Sequence, residues 1–510
     1  MIISLSVLVI TIIVSGTYAL YKAQLSKNIG VNTTTHGLAY YINYVKGTDI
    51  TAATLNPSTS YEGGASSDIE FWKKDDSYDI YGKIELTVNT IGTNLSNSPA
   101  LKYAVVNNGN VLKEGSLKGT TSGSKVTILK NLYLEQTKQI YTVYVWLDNS
   151  EELGNISNES LSISVACTAS LQKEPTAADT IISLYTSAAK VTATNNSITY
   201  NTAPSVSLMN DRLGGTTTDL DGGNIRYYGA NPNNYIYFNC SDYSNQTSST
   251  CETWRIIGVF DGKLKLIRGS QIGKYSWDNK NTSTGAENDT GKNDWTTARL
   301  MKLLNPSNYY KVDSNDNNLG QSLYYNSASG KCYSGQNNAT VDCDFTSTGI
   351  KNAETRNMIA ETTYNLGGWN SNSVYSNQIY EYERGTTVYS GRPTTWKGKI
   401  ALAYPSDYGY AADLNQCKDK TLYDYDNRTC TSNNWMKAII TNNGSNTGWL
   451  LTPRSGSSSN AWYVNSGGFV SRDSIAYVAY GAVPVLSLSS ELGIESGGDG
   501  SSSKPYKLSA

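Results

Sequence analysis

The sequence predicts a multidomain chain made of a hydrophobic N-terminal helix, an all-β sandwich and an α+β domain. Three observations support this fold class. The chain begins with an uncharged apolar stretch, residues 27–170 show repeated period-2 alternation of apolar side chains, and residues 205–490 combine two helical patterns with many short apolar runs. With 510 residues, the chain can hold roughly two to four domains, each with a core of its own.

Composition narrows the class of function. The net charge is −2 and charged residues make up only 16% of the chain, so no basic surface for nucleic acid is expected. Tyrosine is abundant, with 39 residues against 5 phenylalanines, beside many Asn, Ser, Thr and Gly residues, which is typical of an exported bacterial β-protein. The one histidine, His36, excludes nearly all histidine-dependent catalysis and histidine-rich metal sites.

Residues 1–26 form the predicted signal or transmembrane segment. Residues 1–21 carry no charge, and the apolar run is densest over residues 2–14. This run is short for a membrane span and has the length of the apolar part of a signal peptide, whereas the whole uncharged stretch could just cross a bilayer. Either a cleaved signal or an uncleaved membrane anchor would place the rest of the chain outside the cell.

Residues 27–170 are predicted to form the β-sandwich. Apolar side chains alternate with polar ones in three stretches: Ile84, Leu86 and Val88; Tyr141, Val143, Val145 and Leu147; and Leu161, Ile163 and Val165. Clusters of turn-forming residues, such as those at 107–110 and 121–123, separate strands of this kind. Cys167 continues the third apolar face, so a buried, unreactive thiol is expected.

Residues 171–204 are interpreted as a linker that contains one helix. Pro175 suits a helix start, and the apolar residues that follow favour a helix over 177–190. At the other end of the chain, the Gly/Ser-rich tail at 491–510 is either disordered or a short edge hairpin.

Residues 205–490 are predicted to form one large α+β domain. Asp294 is expected to cap a helix over 295–304, and a second helix is expected over 351–366. Short apolar runs rich in aromatic and β-branched residues predict the strands 235–238, 254–260, 263–267 and 399–404.

Six of the seven cysteines fall into three local pairs, each separated by a short polar loop. The predicted disulfides are Cys240 with Cys251, Cys332 with Cys343, and Cys417 with Cys430. None of these pairs has the Cys-x-x-Cys spacing of a zinc ribbon or a thioredoxin motif. Disulfides form in an oxidising compartment, which agrees with export; reduced and unpaired thiols are the alternative.

The stretch 449–490 is interpreted as a surface for recognition. It opens and closes with apolar runs that have the composition of buried strands, and its middle is a mixture of Tyr, Ser, Asn and Gly like that of antibody binding loops. An ordinary surface hairpin with half-buried aromatic rings is the alternative. The candidate ligand-binding side chains are Arg454, Asn460, Trp462, Tyr463, Asn465, Phe469, Arg472, Asp473, Tyr477 and Tyr480.

The same stretch carries a family resemblance. The sequence Trp-Leu-Leu-Thr-Pro-Arg-Ser at 449–455, the hairpin at 460–468 and the ending at 481–488 resemble a domain of unknown function common in bacterial surface proteins. That domain is similar to formylglycine-generating enzymes and C-type lectins, which implies a C-type-lectin-like α+β fold. Ala482 and Val483 stand where the family has Val and Arg, so no site that needs this arginine is carried over.

The N-terminal part resembles camelysin-type and biofilm-fibre proteins. The sequence Ser-Gly-Thr-Tyr-Ala-Leu-Tyr at 15–21 is similar to their cleavage region, which a dedicated signal peptidase processes. The resemblance implies cleavage after Ala19 and a jelly-roll-like β-sandwich over 27–170. Such a domain would serve as a stalk or an assembly unit.

Motifs for catalysis or metal binding are not found. No cysteine matches the context of the active-site pair in formylglycine-generating enzymes, and the Glu-Pro-Asn, Gln-Pro-Asp and Trp-Asn-Asp motifs of calcium-dependent lectins do not occur. Residues 313–317 only faintly resemble an EF-hand loop, because the sixth position is not Gly and the twelfth is Tyr324. We therefore predict no enzyme activity, no cofactor and no metal.

The predicted function is a secreted or membrane-anchored cell-surface protein for binding or adhesion, which displays a lectin-like domain on a β-sandwich stalk. Its expected partner is an extracellular glycan or protein. A structural fibre subunit without a ligand and an enzyme with an unrecognised site remain alternatives. A sharper version of the main hypothesis makes residues 455–480 a diversified region.

Overall fold

The computed structural model describes residues 23–25, 41–51, 55–151, 153–156, 159–212, 223–243, 245–279, 290–310, 319–335 and 339–509. The predicted signal or transmembrane segment at 1–26 lies outside these residues except for 23–25, and so do His36 and residues 313–317. Within the described ranges, no helix has the length and apolar character needed to span a bilayer.

The chain divides into two compact units, Met1–Glu174 and Pro175–Ala510. Both units are built mainly of β-strands, and their helices are few and short. The predicted multidomain, β-rich organisation is therefore confirmed.

The first unit contains two β-sheets. The strands are β1 (Ala23–Leu25), β2 (Ile42–Val45), β3 (Ile50–Thr51), β4 (Pro57–Ser58), β5 (Ala65–Lys73), β6 (Tyr81–Ile91), β7 (Leu101–Asn107), β8 (Asn110–Ser116), β9 (Lys125–Tyr133), β10 (Ile140–Asp148) and β11 (Leu161–Ser170). One sheet has the strand order β1-β11-β6-β9 with β3 beside β11, and the other has the order β2-β5-β10-β7-β8 with β4 beside β10. A short helix, α1 (Thr93–Asn97), follows β6.

One apolar core joins these two sheets. Burial alternates along β6, where Ile84, Leu86 and Val88 are fully buried, as the period-2 pattern predicts. Because each sheet contributes one face to the same core, the unit is β-sandwich-like. Cys167 is buried in this core as a free thiol. Strands of both sheets supply its other members, including Ile69, Phe71, Val105, Val143, Val145, Ile163 and Val165.

The second unit contains a nine-stranded sheet, a five-stranded sheet and three strand pairs. The strands are β12 (Val191–Asn195), β13 (Ile198–Ala203), β14 (Leu208–Asn210), β15 (Ile225–Tyr227), β16 (Tyr235–Phe238), β17 (Glu252–Phe260), β18 (Lys263–Arg268), β19 (Lys274–Ser276), β20 (Ser329–Tyr333), β21 (Thr340–Asp344), β22 (Thr362–Asn365), β23 (Thr395–Gly398), β24 (Ile400–Ala401), β25 (Gly448–Pro453), β26 (Asn460–Val464), β27 (Val470–Ile475), β28 (Ala479–Gly481), β29 (Val485–Ser487), β30 (Gly493–Ile494) and β31 (Leu508–Ser509). The nine-stranded sheet has the order β12-β13-β14-β15-β17-β18-β29-β24 with β16 beside β17, and the five-stranded sheet has the order β19-β28-β25-β26-β27. The pairs are β20 with β21, β22 with β23, and β30 with β31.

Short helices connect these strands. The helix expected at the start of the unit is present, with Ile181 and Tyr185 in the core, and Thr176 and Asp179 form a capping box at its N-terminus. The helices are α2 (Ala177–Ser187), α3 (Arg299–Leu304), α4 (Ala353–Met358), α5 (Ser376–Glu383), α6 (Pro405–Tyr410), α7 (Arg428–Ser432) and α8 (Trp435–Ile440).

Two predicted helices are shorter than expected. The carboxylate of Asp294 accepts hydrogen bonds from the backbone N–H and hydroxyl of Thr296, which closes a turn, and α3 begins only at Arg299. The helix expected over 351–366 is wrong beyond Met358, because the chain there pairs with other strands. The N–H of Ala360 donates to Ser487 O at 2.8 Å, and β22 pairs with β23. Tertiary strand pairing here overrides the helical pattern.

The tail of the chain is folded against the second unit. Tyr506 and Leu508 are buried, and β31 pairs with β30. The side chain of Gln246 donates to Leu508 O at 2.7 Å and accepts from Leu508 N–H at 2.9 Å. The edge-hairpin interpretation of the tail therefore describes it better than disorder.

Candidate functional site

The five-stranded sheet brings together the side chains predicted to contact a ligand. Its central strand, β25, is apolar on both faces, since Trp449 and Leu451 enter one core cluster and Leu450 enters another. The predicted residues lie around it as follows: Arg454 directly after β25; Asn460, Trp462 and Tyr463 on β26; Asn465 and Phe469 in the turn that follows; Arg472 and Asp473 on β27; Tyr477 before β28; and Tyr480 on β28.

Among the predicted side chains, Trp462 is buried, Asp473 is exposed and the others are half-buried. All of residues 454–480 are described, and only Gly456, Gly467 and Asp473 among them are exposed. Trp462 is 0% exposed and packs in the core beside Val464. Successive residues of a strand point to opposite faces, so Tyr463 lies on the other side of the sheet. Trp462 is a core residue, which corrects its predicted place among the ligand-binding side chains.

An aromatic row runs from the core to the surface on the Tyr463 face. We define it as Trp449, Tyr480, Tyr463, Phe469 and Tyr423. Consecutive ring centroids are 4.7, 5.6, 6.5 and 5.3 Å apart. Trp449 is buried, the next three rings are half-buried, and Tyr423 at the outer end is 48% exposed. The row therefore leads from a buried ring to an exposed one.

An arginine–aspartate cluster lies on β27 and directly after β25 of the same sheet. We define it as Arg454, Arg472 and Asp473 with Asn370 and Asn372. Arg454 Nη1 donates to Asp473 Oδ1 at 2.7 Å, its Nε donates to Asn370 at 2.7 Å, and Arg472 donates to the same aspartate. The amide of Asn372 reaches Asp473 at 3.4 Å. Two guanidinium groups share one carboxylate, so the cluster has a net positive charge.

Ser471 connects the arginine–aspartate cluster with the aromatic row. Its hydroxyl donates to Asn372 Oδ1 at 3.3 Å, and Ser471 is the cross-strand partner of Tyr463. Burial raises the pKa of Tyr463, while its hydrogen bond to Ser471 acts in the opposite direction. The Tyr463 hydroxyl is therefore neutral at physiological pH and can donate or accept a hydrogen bond.

A buried polar clamp holds the loop between β25 and β26. The side-chain amide of Asn293 donates to the carbonyls of Arg454, Ser457 and Asn460 at 3.1, 2.8 and 2.8 Å. Arg392 donates to Asn293 Oδ1 at 3.2 Å and to Ser458 O at 2.9 Å. Asn293 is fully buried. A loop fixed by this many internal bonds is preorganised, so ordering it costs little upon ligand binding.

The remaining predicted side chains support turns. Asn460 Oδ1 accepts from the hydroxyl of Ser457 at 3.2 Å, and Asn465 Oδ1 accepts from Gly467 N–H at 2.7 Å. Tyr477 is half-buried, and its carbonyl accepts from Ser276 at 2.7 Å. These contacts shape the sheet edge, and they occupy the Asn460 and Asn465 oxygens that would otherwise face a ligand.

The three predicted disulfides are all present. Cys240 is bonded to Cys251, Cys332 to Cys343, and Cys417 to Cys430. The second disulfide joins the adjacent strands β20 and β21, and the third fixes α7 to the preceding loop. In the described part of the chain, no group of three or more His, Cys, Asp or Glu side chains is arranged to hold a metal.

Several residues of the site come from segments that the sequence pattern did not indicate. Tyr423 lies in a 3₁₀ turn at Leu422–Asp424, and Asn370 and Asn372 lie in a loop that Trp369 anchors by stacking on Tyr382, with ring centroids 3.8 Å apart. No local motif marks these positions, because their role depends on contacts with residues distant in the chain.

Comparisons with known proteins identify no family for this chain. No family model matches the chain, and no curated protein matches it. Among solved structures it is similar to a chain of the "PBCV-1 virus capsid, quasi-atomic model", with 12% sequence identity and a TM-score of 0.13. The match covers 40% of this chain and 57% of the capsid chain. A likeness this weak carries no argument about fold or function.

Proposed function

We propose that this chain is a non-enzymatic binding protein presented outside the cell, and that its second unit binds a glycan on the five-stranded sheet. The aromatic row is the observation that carries the proposal. Its outer rings, Tyr463, Phe469 and Tyr423, are close enough together to offer one extended surface. The apolar C–H face of a sugar packs against such rings.

The arginine–aspartate cluster supports a glycan over a purely apolar partner. Arg454 is 23% exposed and Asp473 is 45% exposed, so their donors and acceptors reach solvent. Sugar hydroxyls need both kinds of group within a short distance of the stacked face. The Asn293 clamp fixes Arg454 relative to the rings, which is the rigidity that a binding site needs.

The cellular location is part of the same proposal. The three disulfides favour an oxidising compartment, which agrees with export. The N-terminal segment would act as a cleaved signal or a membrane anchor, and the β-sandwich-like first unit would act as a stalk. We also propose, on the resemblance of residues 449–488, that the second unit is related to C-type-lectin-like domains.

A glycan array tests the proposal with a matched pair of variants of the full chain. Tyr423→Ala removes the exposed end of the row, where the ring is 48% exposed and contacts Phe469 at 5.3 Å. Tyr78→Ala in the first unit is the control, because Tyr78 is 44% exposed and likewise contacts one ring, that of Tyr41 at 4.9 Å. We expect the wild type and the control to bind the same glycans and Tyr423→Ala to lose them.

Two results would contradict the proposal. The first is a wild-type chain that binds no glycan on the array, which would point to a protein partner or a purely structural role. The second is a Tyr423→Ala variant with the same array profile as the wild type, since the sugar would then bind elsewhere.

A further inference from the structure

A cavity lies beside the nine-stranded sheet, away from the aromatic row. Its volume is about 910 Å³, and we call it the Lys265 cleft. Strand β18 contributes Lys263 and Lys265, β22 contributes Thr362 to Asn365, and α5 contributes Tyr380, with Arg384 directly after the helix. Phe260, Tyr364 and Tyr404 supply aromatic surface. A volume of this size holds a molecule as large as a small oligosaccharide.

A buried acid–base network forms the base of the cleft. Asp407 accepts hydrogen bonds from Lys265 Nζ, from Arg226 Nη1 at 3.1 Å and from Tyr404 N–H at 3.0 Å. Arg226 is also bonded to Asp211. Burial alone would raise the pKa of Asp407, but Lys265 and Arg226 outweigh it and hold the pKa below its ordinary value. Asp407 is thus ionised, and both of its oxygens accept hydrogen bonds.

Glu383 is occupied in the same way. Its carboxylate accepts from Ser406 N–H at 2.9 Å, from the Ser406 hydroxyl at 2.5 Å and from Arg384 Nη1 at 3.2 Å. The three hydrogen bonds to each of Asp407 and Glu383 leave these two carboxylates little acceptor capacity for further donors in the cleft.

Two cations in the cleft retain donors with no acceptor. Lys265 Nζ bonds only Asp407, and Arg384 uses only Nη1, among hydrogen bonds within the described residues. The Lys265 ammonium lies 4.6 Å and the Arg384 guanidinium 5.5 Å from the centroid of Tyr404, so both contact the same ring. Arg384 is also stacked on Tyr380 at 3.4 Å, which fixes its plane. Burial lowers the pKa of Lys265, and the positive charge of Arg384 lowers it further, so the two cations are near enough to interact.

The lining of the cleft includes two more cations, Lys263 and Arg212. Lys263 forms no ion pair with any residue in the described ranges. The rim carboxylate of Glu361, in contrast, is paired with Lys397 at 2.5 Å and accepts from Tyr309 at 2.9 Å. The lining therefore holds four cations, Arg212, Lys263, Lys265 and Arg384, against the three carboxylates of Asp261, Glu361 and Glu381, and Glu361 is already paired with a lysine outside the lining.

We propose that the Lys265 cleft binds a small carboxylate-bearing molecule, with the carboxylate held between Lys265 Nζ and the Arg384 guanidinium. A planar carboxylate can accept from both cations at once, and charge-assisted bonds of this kind are the strong ones. The aromatic side chains would pack against the body of the ligand. An acidic mono- or disaccharide has the size and chemistry that the cleft accommodates. This site is separate from the aromatic row, and its occupancy does not depend on the function proposed above.

Isothermal titration of the full chain with acetate, D-glucuronate and digalacturonate tests the proposal. The dimethyl ester of digalacturonate is the ligand control, because it keeps the shape and removes the charge. We expect at least one of the acids to bind, and the ester to bind at least about tenfold more weakly than digalacturonate. Arg384→Gln should weaken binding by about tenfold or more, whereas Arg428→Gln, at an exposed position outside the cleft, should leave it unchanged.

A second variant covers the case in which Arg384→Gln does not fold. Thr363→Trp places a bulky ring at the exposed rim without removing a charge, and it should also abolish binding. The proposal is overturned if none of the three acids binds, if the ester binds as well as the acid, or if folded Arg384→Gln or Thr363→Trp binds as tightly as the wild type.

Discussion

The second unit contains two clusters of the same residue types in opposite environments. Around Asp407, Lys265 and Arg226 are almost completely buried, and each carboxylate oxygen is bonded. Around Asp473, Arg454 and Arg472 are partly exposed, and the carboxylate is 45% exposed. In both places two cations share one aspartate. The difference in solvent access separates a cluster that governs stability from one that is available to a ligand.

This contrast follows from the dielectric environment. A charge removed from water is stabilised only by its partners, so the loss of one partner leaves an uncompensated buried charge. An exposed charge that loses its partner is solvated instead, at little cost. The comparison therefore predicts large effects of substitution at Asp407 and its partners, and small effects around Asp473.

Arg226→Met should give the largest loss of stability. The substitution leaves Asp211 and Asp407 with one cationic partner fewer in the core, for a loss of roughly 3–5 kcal/mol in the free energy of unfolding. The matched variant Arg454→Met should lose less than about 1 kcal/mol. Urea denaturation measures both, and equal losses would show that burial does not distinguish the two clusters.

Glu383→Gln should change how stability depends on pH. Burial raises the pKa of Glu383 from 4.5 to about 7 in the folded chain. Its favourable contribution is therefore complete below pH 4.5 and is lost as the pH rises through about 7, by roughly 3 kcal/mol at most. The Gln variant should show a flatter stability profile over this interval in urea denaturation.

The exposed neighbour on the same helix supplies the control for this experiment. Glu381→Gln should leave the pH profile as it is in the wild type, because Glu381 is exposed to solvent. If the stability of Glu383→Gln fell with pH as steeply as that of the wild type, Glu383 would not be the source of the pH dependence.

Asn293→Ala tests a buried polar group that carries no charge. The variant leaves the carbonyls of Arg454, Ser457 and Asn460 without their shared donor, at a cost of roughly 2 kcal/mol. It should also weaken ligand binding, because the loop before β26 loses its clamp. Asn110→Ala at an exposed position should cost less than about 0.5 kcal/mol. Thermal unfolding measures the loss of stability in both variants. Equal small losses would show that Asn293 does not stabilise the loop.

A double-mutant cycle of Arg454→Ala and Asp473→Ala should give the smallest effect. The coupling between two partly exposed charges is expected at about 0.2–1 kcal/mol and should fall as salt is added. A coupling of several kcal/mol that does not respond to salt would place this pair with the buried cluster.

The sequence revealed those features that depend on neighbours in the chain. The faces of β6, β10 and β11 follow from alternation along each strand, and the three disulfides follow from cysteines that are close in sequence. The helix expected over 351–366 was wrong because pairing with distant strands decides that segment. Trp462 was misplaced because a Tyr-rich composition does not show which face of β26 is buried.

Both candidate sites depend on contacts that no local pattern encodes. Lys265 and Asp407 are 142 positions apart in the chain, and the Asn372 contact with Asp473 spans 101 positions. Tyr423 reaches Phe469 only because α7 and the turn before it fold back onto the sheet. Such clusters can be recognised only when the fold is known, because residue type and spacing do not show which distant residues come into contact.

The most direct test of the exposed cluster as a recognition site is a titration of the strongest array glycan against Tyr423→Ala and Arg454→Ala, with Tm measured on the same samples. We predict that each variant loses about tenfold or more in affinity while its Tm stays within a few degrees of the wild type. Unchanged affinity in both variants would contradict the account. So would a loss of affinity that appears only together with a large fall in Tm.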